Sequence, residues 1–246
     1  MTHQSGFSKV SILSDYYKNY YSKLFGNEDG KAIGNKFFHK TLDNQMWKNA
    51  KHIQKKGLRI LEVGAGQGEH LKFVTQLSRI KEYVLLDLQK PTVIGDYPFQ
   101  VSLVEGNVEN LPFETNSFDI VISTCVFHHL EDPLKGFSEL LRVSNTAIQN
   151  PNLSIIQKQQ STIVIALPAD PGLFYTFYKK IFMHKVMRKV GIDDPQLIYF
   201  IEHRNSIQHL RKFFRVVFKA QANILYFPSR IPIVGFNAML IFSAKL

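Results

Sequence analysis

The 246-residue sequence predicts an α/β fold: an open sheet of buried parallel strands with helices on both of its faces. Two observations carry this. Short strand patterns recur along residues 58–143, dense in Val, Ile and Leu as strands covered on both faces are. The first runs into a glycine-rich turn, and the second ends in an acid about 20 residues further on, where open sheets of this kind hold a ligand at their carboxyl ends.

Leu58, Ile60, Leu61 and Val63 give the first strand its apolar character. Gly64, Gly66 and Gly68 follow, and a backbone without Cβ atoms can turn sharply and come close to a ligand. A helix is expected next, its first N–H groups free to meet that ligand. The spacing departs from the dinucleotide fingerprint G-x-G-x-x-G, because Glu69 stands at the third glycine position and Gly68 comes one residue early. Glu62, just before the turn, would repel phosphates and attract a cation. The expected ligand therefore lacks a pyrophosphate and carries a positive amino group. The second strand is Tyr83-Val84-Leu85-Leu86-Asp87, whose acid is placed to take ribose hydroxyls. A third segment spans 101–109 and leads to Leu111-Pro112-Phe113; a fourth runs from Ser117, with a strand from 119 to 123 and then His128-His129-Leu130.

In this order, over residues 56 to 143, the segments resemble the class I S-adenosylmethionine-dependent methyltransferases, above all the small-molecule, methyltransferase type 11-like members built round "LPF…D-S-F-D-V-V…HHL". The resemblance implies a Rossmann-like, doubly wound seven-stranded sheet with an antiparallel C-terminal hairpin and helical lid elements. It implies one domain over 1–246: an N-terminal helical lid at 1–55, a cofactor-binding core at 56–170, a helical cap at 171–214 and a strand hairpin at 215–246. S-adenosylmethionine would be the cofactor. Gly64, Ala65, Gly66 and Gly68 would line its methionine moiety, with Glu62 near the ammonium. Asp87, beside Leu88, would hold the ribose; Asn107 and Val108 would flank the adenine; Ser123 or Thr124 would close over it. Asn107 stands where this family usually has Asp, and its side-chain carbonyl can accept the same hydrogen bond without a charge, so weaker affinity is expected.

The segment 144–161, rich in Asn, Gln and Ser, replaces the usual short turn before the strand Thr162–Leu167 and is expected to be a surface elaboration at the amino-end side of the sheet. After the turn Leu167-Pro168-Ala169-Asp170-Pro171-Gly172 comes a helical pattern over 173–190. Phe174, Phe177, Tyr178, Ile181 and Phe182 make one apolar stripe, and Lys179, Lys180, Lys185, Arg188 and Lys189 a basic complement. Packing of the stripe on the domain is the plainer expectation. The sharper one is a cap over the acceptor site that meets an anionic substrate or a membrane surface. Tyr16, Tyr17, Tyr20 and Tyr21, with Lys18 and Lys23, have a similar character and would form the other half of the lid. A helix through 210–214 and strands over about 216–227 and 235–245 close the sequence. The "LP-x-DPG", "EHRN" and "Y-F-P" stretches resemble a bacterial subgroup associated with surface-polysaccharide genes, which implies a sugar or lipid-linked glycan precursor as acceptor.

Methyl transfer to an oxygen or nitrogen nucleophile needs alignment and a proton acceptor. The candidate catalytic residues are His129 and then His128, with His203 or Glu202 as more distant bases. Cys125, the only cysteine, is read as a small buried hydrophobe, and Cys/His spacing suggests no metal site. The net charge of +10 leaves an RNA methyltransferase as the second reading, since basic charge supplies phosphate affinity. The basic residues are spread along the chain, and no Asn-Pro-Pro-Tyr-like tetrapeptide follows the fourth strand, so nucleic acid ranks behind a small molecule. A third reading is a cofactor-binding protein without catalysis. With no bilayer-spanning run and no secretory signal, the expected location is cytoplasmic, with peripheral contact at the inner membrane surface through 173–190.

Overall fold

The computed structural model describes residues 33–93, 95–145, 161–189 and 203–246. Helix α1 (Ile33–Asn49) precedes strands β1 (Leu58–Val63), β2 (Ile80–Asp87), β3 (Gln100–Glu105) and β4 (Ile120–Thr124). Helix α2 (Pro133–Val143) and strand β5 (Thr162–Pro168) follow. Then come α3 (Leu173–Tyr178), a π-helical turn (Lys179–Met183), α4 (His184–Lys189), α5 (Ile207–Phe218) and the strands β6 (Ala222–Phe227) and β7 (Met239–Lys245). The strands form one seven-stranded sheet in the order β3-β2-β1-β4-β5-β7-β6. β1 to β5 pair in parallel, and β7 lies antiparallel between β5 and β6.

Alternation along the central strands divides the core between the two faces, as the two-residue repeat of a strand requires. Leu61, Val63, Val121, Ile163 and Ile165 point to one face, where Phe137 and Leu140 of α2 and Leu210, Phe214 and Phe218 of α5 cover them. Leu58, Ile60, Tyr83, Leu85, Ile120 and Ile122 point to the other, under Phe38, Leu42, Met46 and Trp47 of α1. Asp132 starts α2 by accepting from the Lys135 N–H at 3.0 Å, with Pro133 at the first helical position. From α2, Glu139 accepts from the Leu111 N–H, and Arg142 donates to the Phe113 and Leu111 carbonyls. The Leu-Pro-Phe loop is thus held against the sheet.

The structure corrects two expectations about elements. No α-helix follows the glycine turn; the β1–β2 crossover holds only 3₁₀ turns at Leu71–Phe73 and Leu77–Arg79. Gly68 is left-handed at φ 69°, Val74 is extended and Gln76 is left-handed at φ 53°. The helix-competent stretch between them is too short to offset the cost of starting a helix. The strand read from about 216 begins only at Ala222, because α5 runs on to Phe218. Ile207, Leu210, Phe214 and Phe218 are all buried, and that helical stripe outweighs the strand preference of the β-branched Val216 and Val217. The N-terminal tyrosines, Glu202 and positions 146–160 of the Asn/Gln-rich segment lie outside the described residues.

Candidate active site

The strand order reverses at β1: β2 and β3 extend to one side and β4 and β5 to the other. Such a switch point opens a crevice at the strand carboxyl ends. Val63 lies opposite Leu86 in β2 and Ser123 in β4, so the glycine turn emerges between the ends of all three strands.

Glu62 sits beneath that turn, 2% exposed, and Tyr83 donates to its Oε2 at 2.8 Å. Burial pushes the Glu62 carboxyl up to about 8; the nearby Glu69 and Asp87 add to this, and the Tyr83 hydrogen bond opposes it. The glycines serve different purposes. A Cβ on Gly64 (φ 69°) would lie 2.0 Å from Val126 Cγ2, so only glycine lets the β4 exit loop close over the turn. A Cβ on Gly68 would meet Val93 Cγ2 at 2.9 Å. Gly66 (φ 55°) faces open space apart from Glu69 Oε2, and its N–H donates to Asp87 Oδ2 at 2.9 Å. Ala65 is buried and donates to the Leu86 carbonyl.

Asp87, at the end of β2, thus ties the turn to the next strand and still has acceptor capacity on its carboxylate. Leu88 beside it is 70% exposed. Asn107 is exposed, and its side-chain carbonyl accepts from the Glu109 N–H at 2.9 Å in a local turn. Val108 is buried in the core. At the end of β4, Ser123 Oγ and Thr124 Oγ1 are buried with no hydrogen-bond partner. A buried hydroxyl without a partner costs about 1–3 kcal/mol, which a bound polar group would relieve. A buried carboxyl, a glycine turn with open space beside Gly66, a strand-end acid and two waiting hydroxyls suit a ligand with an ammonium and ribose hydroxyls and no pyrophosphate.

By surface area the residue Cys125 is exposed, against its reading as a buried hydrophobe, while its thiol is enclosed enough for burial to push it up to about 12. It adopts φ 57° directly after β4, and this left-handed step takes its side chain out of the strand's alternation. Beyond it the exit loop brings three imidazoles together. The ring centroids of His128 and His129 lie 3.8 Å apart, and those of His128 and His203 4.5 Å. One nitrogen of each of the three comes within 4.8 Å of the others. That spacing is open to a metal ion, although none was expected from sequence. His128 is buried, and burial first, then its charged surroundings, hold it well below the usual imidazole range. His129 is half-buried.

The sequence reading placed the turn bearing Asp170 at the carboxyl edge facing the acceptor pocket but gave the residue itself no role. At the end of β5 its Oδ2 accepts from His203 Nδ1 at 2.6 Å and from Lys179 Nζ at 2.9 Å. Burial alone would raise this carboxyl, but the hydrogen bonds and charges of His203 and Lys179 outweigh that and hold it low. Asn205 fastens the His203 segment to the β4 loop through the Phe127 and Leu130 carbonyls. The one signal available was positional: Asp170 falls in the turn at the carboxyl end of a strand.

A family model described as "Methyltransferase domain" matches residues 61–146. The chain is 30% identical over 105 residues to phthiotriol/phenolphthiotriol dimycocerosates methyltransferase 1 of Mycobacterium ulcerans, a stretch covering 41% of this chain and 38% of that protein. It is 27% identical over 154 residues to the Mycobacterium leprae phthiotriol/phenolphthiotriol dimycocerosates methyltransferase, covering 58% of this chain and 53% of the relative. A rice chloroplast 2-methyl-6-phytyl-1,4-hydroquinone methyltransferase is 29% identical over 99 residues, 35% of this chain and 28% of that one. The chain thus spans about half or less of these relatives' length. Among solved structures, a plantazolicin methyltransferase bound to SAH superposes with a TM-score of 0.58 at 13% identity, over 96% of this chain and 99% of the other. The CMeT domain of citrinin polyketide synthase superposes with a TM-score of 0.57 at 15% identity, over 92% of this chain and 59% of the other. The strand order and the superpositions show the fold of these enzymes, and the methyltransferase-domain model matches the stretch that builds the glycine turn and the β4 exit of the crevice.

Proposed function

We propose that this protein transfers the methyl group of S-adenosylmethionine to an oxygen or nitrogen of a small amphiphilic acceptor, such as a lipid-linked glycan precursor. The observation that carries the transfer is the pairing of Glu62 with Tyr83 beneath a glycine turn that Asp87 braces at the strand switch point. The acceptor's amphiphilic character rests on the relatives, which are named for dimycocerosates and a phytyl hydroquinone. A lipid tail and a polar head in one molecule reconcile them with the glycan expectation.

The cofactor supplies an electrophilic sulfonium methyl. Glu62 would take its ammonium, the Gly66 turn would lie along its amino-acid portion, and Asp87 would hold the ribose. Ser123 and Thr124 would meet it from the end of β4. The acceptor would enter from the side of the β4 and β5 exits, where positioning of the reacting atoms can contribute about 7–11 kcal/mol. His129 would take the proton that the nucleophile releases. His128, its buried neighbour, would keep an uncharged imidazole against it. Asp170 holds the His203 ring in place through Nδ1, at the edge of the same pocket.

Isothermal titration with S-adenosylmethionine, and with NAD as control, is the first test. Micromolar binding of S-adenosylmethionine alone is expected. The Asp87→Ala variant should bind it more than tenfold more weakly, because a charge-assisted hydrogen-bond pair is lost. An unchanged dissociation constant would remove Asp87 from the site; binding of neither ligand would overturn the cofactor role of the crevice.

A further inference from the structure

In the 173–189 helix, Phe174, Phe177 and Ile181 of the apolar stripe do not pack on the domain. Leu173 is 80% exposed and Phe177 63%, with Phe174 and Ile181 also open to solvent. The helix turns its other side inward, where Lys179 is only 12% exposed and pairs with Asp170. The π-helical turn at 179–183 carries an extra residue per turn and re-aims the side chains beyond it.

A second element continues this face. Gly172 lets α3 start against the β6–β7 connection: a Cβ there would lie 2.4 Å from the Ala169 carbonyl oxygen and 3.3 Å from that of Val234. Ile231, Ile233 and Phe236 of this connection are exposed as well. They are held there by Asn237, which is fully buried. Its amide donates to the Ile231 and Ile233 carbonyls at 2.9 and 2.8 Å, and its Oδ1 accepts from Ser229 N–H and Oγ. A buried polar clamp thus presents large aliphatic side chains to water, which a soluble surface has no reason to do. Lys180, Lys185, Arg188 and Arg230, all exposed, lie along the same two elements in a chain of net charge +10.

We propose that this face docks on an anionic lipid bilayer. The aromatic and aliphatic side chains would enter the headgroup–acyl boundary, and the lysines and arginines would meet lipid phosphates, the pattern of interfacial helices. The helix begins just after β5 and its Lys179 reaches Asp170, so the docked face borders the acceptor side of the crevice. That the membrane delivers the acceptor there rests on the methyltransferase reading; the docking itself does not.

Co-sedimentation of the full chain with vesicles tests this, using phosphatidylcholine alone and phosphatidylcholine with about one part in four phosphatidylglycerol, at about 0.1 M salt. The chain should sediment with the anionic vesicles and far less with the neutral ones. Phe174→Ser combined with Phe177→Ser should weaken this at least tenfold, and Lys180→Glu combined with Lys185→Glu should abolish the preference for anionic lipid. Titration with S-adenosylmethionine on each variant serves as the folding control and reads the cofactor site separately. Absence of sedimentation with anionic vesicles would overturn the proposal. So would binding indifferent to the aromatic pair, or a dimer in solution that the aromatic substitutions dissolve, which would make the face a contact between copies.

Discussion

Glu62 is the residue whose chemistry is most sharply defined. With its carboxyl pushed up to about 8, it is largely protonated at neutral pH in the free protein. An ammonium placed beside it favours the carboxylate, so cofactor binding at pH 7 should release close to one proton, roughly 0.9 by the distance of that value from neutrality. Calorimetry in two buffers of different ionisation enthalpy reads this directly; Glu62→Gln should abolish the difference, and identical heats for the parent chain would show that Glu62 does not face the ammonium. Glu62 and Asp87 were legible in the sequence because each lies within or just beyond a strand whose end is marked by a turn. Tyr83 was read only as a strand residue, because its hydroxyl meets Glu62 through a register between strands that no local pattern records. The Asp170–His203 pair was hidden for the same reason: its members are neighbours only after β5 and the residue 203 segment have folded together.

At the level of elements, the parallel strands of the sheet centre were read to within a few residues because burial on both faces leaves a dense apolar pattern, whereas the last two were begun too early. The helix expected after the glycine turn failed because a glycine-dense start and a left-handed Gln76 leave too little chain for one. Phe174, Phe177 and Ile181 do share one exposed character, yet periodicity cannot say which side of a helix the protein covers. In the connection bearing Ile231 and Ile233, the Asn237 side chain makes four hydrogen bonds, two to carbonyls that also accept from the Ile233 and Phe236 N–H groups and two from Ser229. Asn237→Ala should therefore cost about 1–3 kcal/mol, because it removes several hydrogen bonds that are each worth about 0.5–1.5 kcal/mol. Thermal melting should show a midpoint lower by about 2–4 °C for each kcal/mol lost. An unchanged midpoint would mean that water replaces the amide there.

For the molecule as a whole, buried titratable groups set opposing slopes of stability against pH. Burial lowers His39 to about 4 and His70 to about 3 from the usual 6.5, and lowers His128 strongly as well. These groups are depressed in the folded state, so their contribution is present above the unfolded value of 6.5 and is lost as pH falls toward about 4. Glu62 is raised from 4.5 to about 8, so its contribution is present at low pH and is lost as pH rises through about 8. Three imidazoles outweigh one carboxyl below 6.5, and the carboxyl acts alone above it. The melting temperature of the cofactor-free protein should thus peak near pH 6.5, and Glu62→Gln should flatten the alkaline side; a parent profile that is level from pH 6 to 8 would contradict the burial of that charge.

The position of β7 has a consequence for biosynthesis. β7 follows the other six strands of the sheet in the sequence, yet it is flanked on both sides, by β5 and by β6. While the ribosome is still short of Met239, β5 has no partner on that side, although every one of its residues from Thr162 to Pro168 is buried in the finished sheet. Nor can β6 dock without the strand that separates it from β5. The hairpin must arrive as a pair, and until it does the nascent chain carries an open edge able to recruit other chains. Slow elongation over the last stretch would lengthen that exposure, so holdase chaperones should associate most with chains arrested between β5 and β7.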